Sequence, residues 1–318
     1  MKAKSKLFTI LSTVALISLL SACSTGSSSK NSDETTSSSE TTHEVTDTLG
    51  NKVDVPTQPK RIIGSYLEDY LVALDETPVA QWTVGGGSIQ DYLQDDLEDV
   101  PTISYDLPYE DVLKFKPDLL LISSSAQVEG GKYEQYSKIA PTYVVKNGDG
   151  VTWEEQLKDI GKVLDKSDEA DDVITEYNDH VKETKKDLSD TIDGKSAAIL
   201  WVTNNSAFMV SEERSSGRIV YGDLGFEVPE LVKEVSKTAT SDWSAVSSEK
   251  LATLDADYII LVNSDPSAAM FKEATWTNLN AVKNDQVIEV DPDSSWLYNG
   301  PIASNDMLDD IDNALSEK

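Results

Sequence analysis

Short apolar runs alternate with longer stretches of helical periodicity along most of the chain. In the first half the apolar runs predict strands at residues 61–65, 79–82, 119–123 and 142–145. In the second half they predict strands at residues 196–202, 258–262 and 287–290. Alternation of strands and helices is typical of α/β proteins with largely parallel sheets.

One apolar stripe runs through residues 167–193, where no Gly or Pro interrupts the helical pattern. Its apolar positions recur at spacings of three and four: Ala170, Val173, Ile174, Tyr177, Val181, Thr184, Leu188 and Ile192. The pattern predicts a single long amphipathic helix. It could be an ordinary surface helix, but its length and its position in the middle of the chain favour a connector between two lobes.

The two halves of the chain repeat one pattern. Glu110 begins a short predicted helix, and Asp118 follows just before a buried strand. Glu249 and Asp257 occupy the same places with the same spacing in the second half. We therefore predict an α/β fold with two Rossmann-like lobes of mostly parallel sheets, at residues 44–166 and 194–318, joined by a single long α-helix at residues 167–193.

The N-terminus has the features of an export signal. Three lysines before residue 7 precede an apolar run at residues 7–20 that is too short to span a membrane. The sequence LSAC follows and places Cys23, the only cysteine, after small residues. It resembles the lipobox of bacterial lipoproteins, so residues 1–22 are predicted to be a signal peptide and Cys23 to be acylated. The alternative is an ordinary signal peptide with a chance cysteine.

Residues 23–43 are almost entirely polar and carry too little apolar surface to fold, so they predict a flexible tether. The whole chain has 27 basic and 57 acidic residues, a formal net charge of −30. This charge excludes nucleic acid as a partner, because phosphates require a basic surface. Most of the acidity is expected to serve solubility.

The residues needed for catalysis are scarce. The chain has two histidines, His43 and His180, and no cysteine besides the lipidation candidate. The run of glycines at 85–87 lacks the spacing of phosphate-binding loops. We expect no enzyme, no cofactor and no metal site built from protein ligands. An extracellular α/β hydrolase is the remote alternative, although the chain lacks a G-x-S-x-G elbow.

Several segments together resemble a known family. They are VTDTLGNKVDVP at 45–56, PKRII at 59–63, KPDLLL at 116–121, IAPT at 139–142, residues 276–290 and WLYNGP at 296–301. Their order and spacing are similar to those of iron-siderophore ABC-transporter substrate-binding lipoproteins of the class III periplasmic-binding-protein type. The resemblance implies two α/β lobes, a rigid helical connector, a shallow aromatic cleft and modest closure. It also implies a monomer on the outer face of the cell membrane, attached only through its lipid anchor.

The resemblance implies roles for particular residues. Members of the family dock on the ABC permease through one glutamate on each lobe, and the matching positions here are Glu110 and Glu249. Each could instead be an acid that stabilises a helix N-terminus, which is worth ~0.3–1 kcal/mol. The expected ligand-binding residues are arginines and aromatic residues of the lobe edges: Tyr66, Trp82, Arg214, Arg218, Trp243, Trp296 and Tyr298. For Trp82 and Trp243, core packing is an equal alternative.

The resemblance implies a ferric siderophore as ligand, with the iron held by the siderophore and the complex delivered to an ABC importer. A ferric catecholate carries three negative charges, and a chain with three arginines offers little to neutralise them. A ferric hydroxamate is neutral or carries one positive charge, so it suits an aromatic cleft better. We therefore expect a hydroxamate. Haem or a corrinoid in the same fold is the alternative, with a tyrosine as haem ligand.

Overall fold

The computed structural model of the protein describes residues 41–85 and 87–316. The predicted signal peptide, Cys23 and most of the predicted tether lie outside the described residues. The strands are β1 (Thr42–Thr46), β2 (Lys52–Pro56), β3 (Ile62–Ser65), β4 (Gln81–Trp82), β5 (Thr102–Ile103), β6 (Leu119–Ile122), β7 (Thr142–Val144), β8 (Ala197–Thr203), β9 (Ser206–Val210), β10 (Trp243–Val246), β11 (Tyr258–Asn263) and β12 (Val287–Val290).

The helices include several of a single turn. They are α1 (Glu68–Ala73), α2 (Gln94–Leu97), α3 (Tyr109–Phe115), α4 (Lys132–Tyr136), α5 (Trp153–Val163), α6 (Ser167–Asp187), α7 (Ser189–Ile192), α8 (Ser215–Gly217), α9 (Glu230–Ser236), α10 (Ser248–Leu251), α11 (Ala274–Thr277), α12 (Asn280–Lys283) and α13 (Pro301–Ser316). No helix in the described ranges combines the length and the apolar character that crossing a membrane requires.

The first half contains a parallel sheet in the order β3-β6-β7. The parallel pair β4-β5 extends it, because Ala80, just before β4, bridges to Ile63 of β3. An antiparallel hairpin of β1 and β2 precedes this sheet and buries Val45, Val53 and Val55. The hairpin begins at Thr42, slightly before the predicted lobe boundary at residue 44.

The second half contains a five-stranded sheet in the order β10-β9-β8-β11-β12. Strands β8, β11 and β12 are parallel, while β9 and β10 run antiparallel at one edge. The α/β architecture with mostly parallel sheets therefore agrees with the sequence prediction. The antiparallel edge was not predicted.

The repeated Glu and Asp pattern has a structural basis in its aspartates. Asp118 accepts hydrogen bonds from the backbone amides of Lys60 and Arg61, at 2.7 and 2.9 Å, just before β3. Asp257 accepts from the backbone amide of Ser196 at 2.9 Å, just before β8. Each aspartate thus joins the start of one parallel strand to the start of its neighbour, which explains why the same spacing occurs in both halves.

The predicted connecting helix is present but shorter than expected. Helix α6 has 21 residues and ends at Asp187, and the separate turn α7 follows. At 1.5 Å per residue, α6 spans about 32 Å. It packs against α5 and α13. Gly161 of α5 permits this approach, because a Cβ atom there would lie 2.7 Å from the Cβ of Ala170.

One apolar core runs through both halves of the described chain. It includes Ile62 and Leu119 from the first sheet and Ile199 and Ile260 from the second. A second cluster covers the other face of the first sheet. The described residues pack as one compact unit. The two sheets mark the two halves, and the lobe boundaries at 44, 167 and 194 stay predictions.

Candidate functional site

Two adjoining cavities lie between residues of the first and second halves, and together they are called the cleft. The aromatic cavity has a volume of about 580 Å³ and is lined by Tyr66, Trp201, Trp243, Leu297, Tyr298, Asp91 and Asp293, among others. The arginine cavity has a volume of about 400 Å³ and includes Arg214, Arg218, Asp149 and Asp242. The two cavities adjoin at consecutive residues, because Asp242 lines the arginine cavity and Trp243 lines the aromatic cavity.

The first wall of the aromatic cavity is built around Tyr66, which follows β3. Its backbone is left-handed, with φ 58°, at the carboxyl end of that strand. Its ring packs edge-on against Trp82 at 5.0 Å and lies 6.1 Å from the ring of Tyr298. Burial raises the pKa of the Tyr66 phenol well above its ordinary value. The wall therefore presents aromatic rings and a neutral hydroxyl.

Two buried contacts hold this wall in place. Glu68 of α1 accepts a hydrogen bond from the backbone amide of Trp82 at 2.6 Å. Burial raises the pKa of Glu68 to about 8, so the carboxyl group is predominantly neutral at pH 7. Tyr298 donates its hydroxyl to the carbonyl of Ile89 at 2.9 Å, and burial raises its pKa to about 12. Both groups position aromatic rings without adding charge to the cavity.

The opposite wall comes from the second sheet. Trp201 of β8 and Trp243 of β10 pack edge-on at 6.1 Å. Trp201 donates its indole N–H to Ser264 at 3.0 Å. The indole nitrogen of Trp243 is buried and has no hydrogen-bond partner within the described residues. These two rings complete the aromatic lining of the cavity.

Both arginines of the cleft are paired with acids. Arg218 forms a bidentate ion pair with Glu154, with both N···O distances at 2.6 Å. Arg214 lies 2.8 Å from the carboxylate of Asp149 and 3.9 Å from that of Asp242. Burial opposes the ionisation of Glu154, but its hydrogen bonds, chiefly from Arg218, outweigh burial and lower its pKa.

Local sequence explains how these charged groups are positioned. Thr152 and Glu155 form a capping box that fixes the first turn of α5, which carries Glu154. The chain turns tightly after β9, where a Cβ atom at Gly217 would lie 2.1 Å from the carbonyl oxygen of Ser211. This close approach requires glycine and places Arg218 at the start of a π-helical segment.

A family model described as "Periplasmic binding protein" matches residues 70–294, which is more than half of the chain. The chain belongs to the periplasmic binding protein family. The family resemblance seen in the sequence is thereby confirmed.

Similar proteins cover nearly the whole chain of this periplasmic binding protein. The Probable siderophore-binding lipoprotein YfiY of Bacillus subtilis (strain 168) is 29% identical over 315 residues, covering 93% of this chain and 94% of the relative. The Iron(3+)-hydroxamate-binding protein FhuD of the same strain is 26% identical over 309 residues, 95% of each chain. The crystal structure of Staphylococcus aureus SirA complexed with staphyloferrin B is 28% identical, covers 86% of this chain and 98% of that chain, and has a TM-score of 0.69.

The structure brings together most of the predicted ligand-binding residues. Tyr66, Trp243 and Tyr298 line the aromatic cavity, and both arginines line the other. Trp82 supports Tyr66 from behind, and its indole donates to the carbonyl of Tyr105 at 2.9 Å.

Trp296 is the exception, because the structure places it in the core and not on the cleft surface. Its side chain is fully buried, and its indole donates to Asp310 at 2.8 Å. The family resemblance placed Trp296 among the ligand-binding residues, but the single helical turn 295–297 directs the ring onto α13. Leu297 and Tyr298, the next two residues, line the aromatic cavity instead.

Glu110 and Glu249 occupy equivalent positions in the two halves of this periplasmic binding protein. Each lies in the first turn of a short helix, α3 or α10, and each is exposed. Within residues 41–85 and 87–316 neither carboxylate forms an ion pair. The same ranges contain no group of three or more His, Cys, Asp or Glu that could hold a metal ion.

Sequence reasoning missed Trp201 and Asp149 as cleft residues and Glu154 as the partner of Arg218. Leu200 and Val202 are both fully buried in the same strand, so strand alternation places Trp201 on the opposite face. That signal was present in the predicted strand at 196–202. No local signal pairs Asp149 or Glu154 with the arginines, because the partners are more than 60 positions apart.

Proposed function

We propose that this periplasmic binding protein captures a ferric siderophore of the hydroxamate class and delivers it to an ABC importer. The observation that carries the proposal is the aromatic cavity, in which rings from both halves surround a space of about 580 Å³. A volume of this size suits a small-molecule ligand. Two relatives that cover nearly the whole chain support the proposal by their names: that of YfiY supports a siderophore, and that of FhuD supports an iron hydroxamate.

The charges of the cleft support a ligand without a high negative charge. The residues that line the aromatic cavity include Asp91 and Asp293 and no Lys or Arg. In the neighbouring cavity, acids already pair with Arg214 and Arg218. A ferric catecholate with three negative charges would meet uncompensated carboxylates, whereas a neutral or cationic ferric hydroxamate would not. The iron remains bound by its chelator throughout.

The tyrosines of the cavity do not favour haem. Ligation of haem iron by tyrosine is helped by a phenol that ionises readily. Burial instead raises the pKa of both Tyr66 and Tyr298, and Tyr298 donates its proton to a backbone carbonyl. Haem and a corrinoid are nevertheless included in the binding experiment as competing ligands.

The test is a titration of residues 41–318 followed by intrinsic tryptophan fluorescence. The panel contains ferrioxamine B, ferrichrome, staphyloferrin B with iron, a ferric catecholate, haem and cobalamin. We expect saturable quenching by a hydroxamate and no saturable response to the catecholate. The iron-free chelators at matched absorbance serve as the control. Saturable binding of the catecholate alone, or of haem alone, would contradict the hydroxamate assignment.

We also propose that acylated Cys23 anchors the protein on the outer face of the membrane and that Glu110 and Glu249 dock on the permease. The name of the lipoprotein YfiY supports the anchor. The equivalent exposed positions of the two glutamates support docking. Incorporation of labelled palmitate into the full chain, and its loss in Cys23→Ala, tests the anchor directly.

A further inference from the structure

Three exposed apolar side chains lie on and next to α3. Tyr105 is 55% exposed, Tyr109 is 38% exposed and Leu113 is 54% exposed. Tyr109 and Leu113 are four residues apart on α3 and therefore share one face of the helix. Tyr105 belongs to the turn that leads into this helix. These three residues are called the α3 patch.

The α3 patch is held on a rigid support. The carbonyl of Tyr105 accepts a hydrogen bond from the indole of Trp82 at 2.9 Å. The ring of Tyr109 packs edge-on against buried Tyr136 at 5.0 Å. Tyr136 in turn donates its hydroxyl to the carbonyl of Leu107 at 2.8 Å. Apolar side chains that stay exposed on a rigid support present a fixed apolar surface to solvent, which is characteristic of an interaction surface.

The charges beside the α3 patch define what would bind it. Glu110, one of the proposed docking residues, directly follows Tyr109 in the first turn of α3 and is exposed. Asp106 is also exposed, while Lys114 is paired with Asp111 at 2.6 Å. A complementary partner therefore has apolar side chains with basic residues next to them. The patch is continuous with the surface that Glu110 offers to the permease.

The second half has no equivalent surface beside Glu249. Every large apolar side chain that is exposed in the described part of the chain lies before residue 114. Helix α10, which carries Glu249, buries Leu251 and pairs Lys250 with Glu234 at 2.5 Å. The two docking acids are equivalent in position, but only Glu110 has apolar neighbours.

We propose that Tyr105, Tyr109 and Leu113 form a docking surface for a transmembrane subunit of the importer, which makes the contact at the first half stronger than that at the second. This inference rests on the proposed function, because the partner is the permease that receives the siderophore. Aromatic side chains are enriched among the residues that dominate binding energy at interfaces.

The test compares variants of the full chain in cells that carry its own importer. Tyr105→Ser combined with Leu113→Gln removes two exposed apolar side chains and leaves both glutamates intact. Leu49→Gln is the matched control, because Leu49 is 48% exposed and lies outside both cavities. We expect the double variant to lower uptake of iron-55 ferrioxamine B by about tenfold and the control to leave it unchanged. Unchanged uptake in the double variant would overturn the proposal.

Two further measurements separate this proposal from the proposed function. Purified variants are titrated with ferrioxamine B, and the dissociation constant should equal that of the unmodified protein. A photo-crosslinking residue at position 113 should form an adduct with a permease subunit, whereas one at position 49 should not. An adduct between two copies of this chain would overturn the docking proposal. Failure to bind any siderophore would instead refute the proposed function. The crosslinking result would still show whether the α3 patch contacts a permease subunit.

Discussion

Arg218 and Glu154 join the two halves of the protein through a bidentate ion pair, with both N···O distances at 2.6 Å. Their side chains are only 31% and 17% exposed, so water screens the pair weakly. Arg218 follows strand β9 of the second sheet, while Glu154 lies in the first turn of α5 of the first half. Arg218 lines the arginine cavity, so the pair couples the geometry of the cleft to the contact between the halves.

Removal of one member of this pair should destabilise the protein. Arg218→Met leaves Glu154 partly buried without a counter-charge, so we expect the free energy of unfolding to fall by about 1–3 kcal/mol, less than for a fully buried pair. The measurement is urea unfolding at pH 7. The control is the double variant Arg218→Met with Glu154→Met, which should recover most of the loss because no charge remains buried. Equal stability of the single variant and the unmodified protein would show that the pair is screened.

Glu68 should make stability depend on pH. Its pKa rises from 4.5 to about 8 in the folded protein because the carboxyl group is buried. Between these values the folded state keeps a proton that the unfolded state loses, so stability decreases as pH rises. Between the two pKa values, this group lowers the free energy of unfolding by up to about 1.4 kcal/mol per pH unit, and its contribution to the slope vanishes above the folded pKa.

Glu68→Gln removes that titration while keeping a side chain of similar size. We expect the variant to gain stability relative to the unmodified protein between pH 5 and pH 8, measured by urea unfolding at several pH values. Glu110→Gln, at an exposed site, serves as the control and should show no such trend. Parallel stability curves for Glu68→Gln and the unmodified protein would contradict a neutral Glu68.

The sequence predicts the parallel strands because each is a short apolar run. It also predicts the repeat between the two halves, because Asp118 and Asp257 each bond the backbone at the start of the neighbouring strand. It does not reveal β9 and β10. Their pairing brings Trp243 opposite Val210, and both strands are short with mixed burial. Strand β9 pairs with β8 through a two-residue turn at Asn204 and Asn205, both with positive φ, so this hairpin had a local signal that the sequence reading overlooked. The pairing of β10 with β9 joins residues far apart in the chain, depends on the assembled sheet and has no local pattern. The same limit explains the misplacement of Trp296, whose burial is decided by its packing against α13.

Trp243 and Trp296 should respond to substitution in opposite ways. Trp243 lines the aromatic cavity, so Trp243→Ala should weaken binding of ferrioxamine B by about tenfold with a small effect on stability. Trp296 is buried, so Trp296→Phe should lower the free energy of unfolding by about 1–2 kcal/mol through loss of its hydrogen bond to Asp310. Titration calorimetry and urea unfolding on both variants provide the comparison. A loss of affinity in Trp296→Phe with unchanged stability would place Trp296 at the ligand after all.

Asp69 should be important for the attachment of the last helix. Its carboxylate accepts hydrogen bonds from the backbone amides of Ile302 and Ala303, at 3.0 and 2.8 Å, in the first turn of α13. Tyr92, which packs against Tyr298, donates to the same carboxylate at 2.8 Å. Asp69→Ala should therefore lower the free energy of unfolding by about 2 kcal/mol, the upper end of the range for helix caps.

The control for Asp69→Ala is Asp255→Ala, at an exposed loop position before β11, which should change stability by less than about 0.5 kcal/mol. Hydrogen exchange adds a local readout, because loss of the cap should speed exchange of the amides at 302 and 303 more than those of the central sheet. Uniform acceleration across the molecule would mean that Asp69 supports the fold as a whole rather than this contact.

The asymmetry between the two docking glutamates leads to a final prediction. Loss of Glu110 leaves the α3 patch to hold the first half against the permease, whereas loss of Glu249 leaves no exposed apolar contact beside it among the described residues. Glu249→Gln should therefore reduce uptake of iron-55 ferrioxamine B several-fold more than Glu110→Gln. In the background of Tyr105→Ser and Leu113→Gln the two substitutions should become equally damaging, because the difference between the halves has been removed. Equal effects of the two substitutions in the unmodified background would mean that the carboxylates alone determine docking.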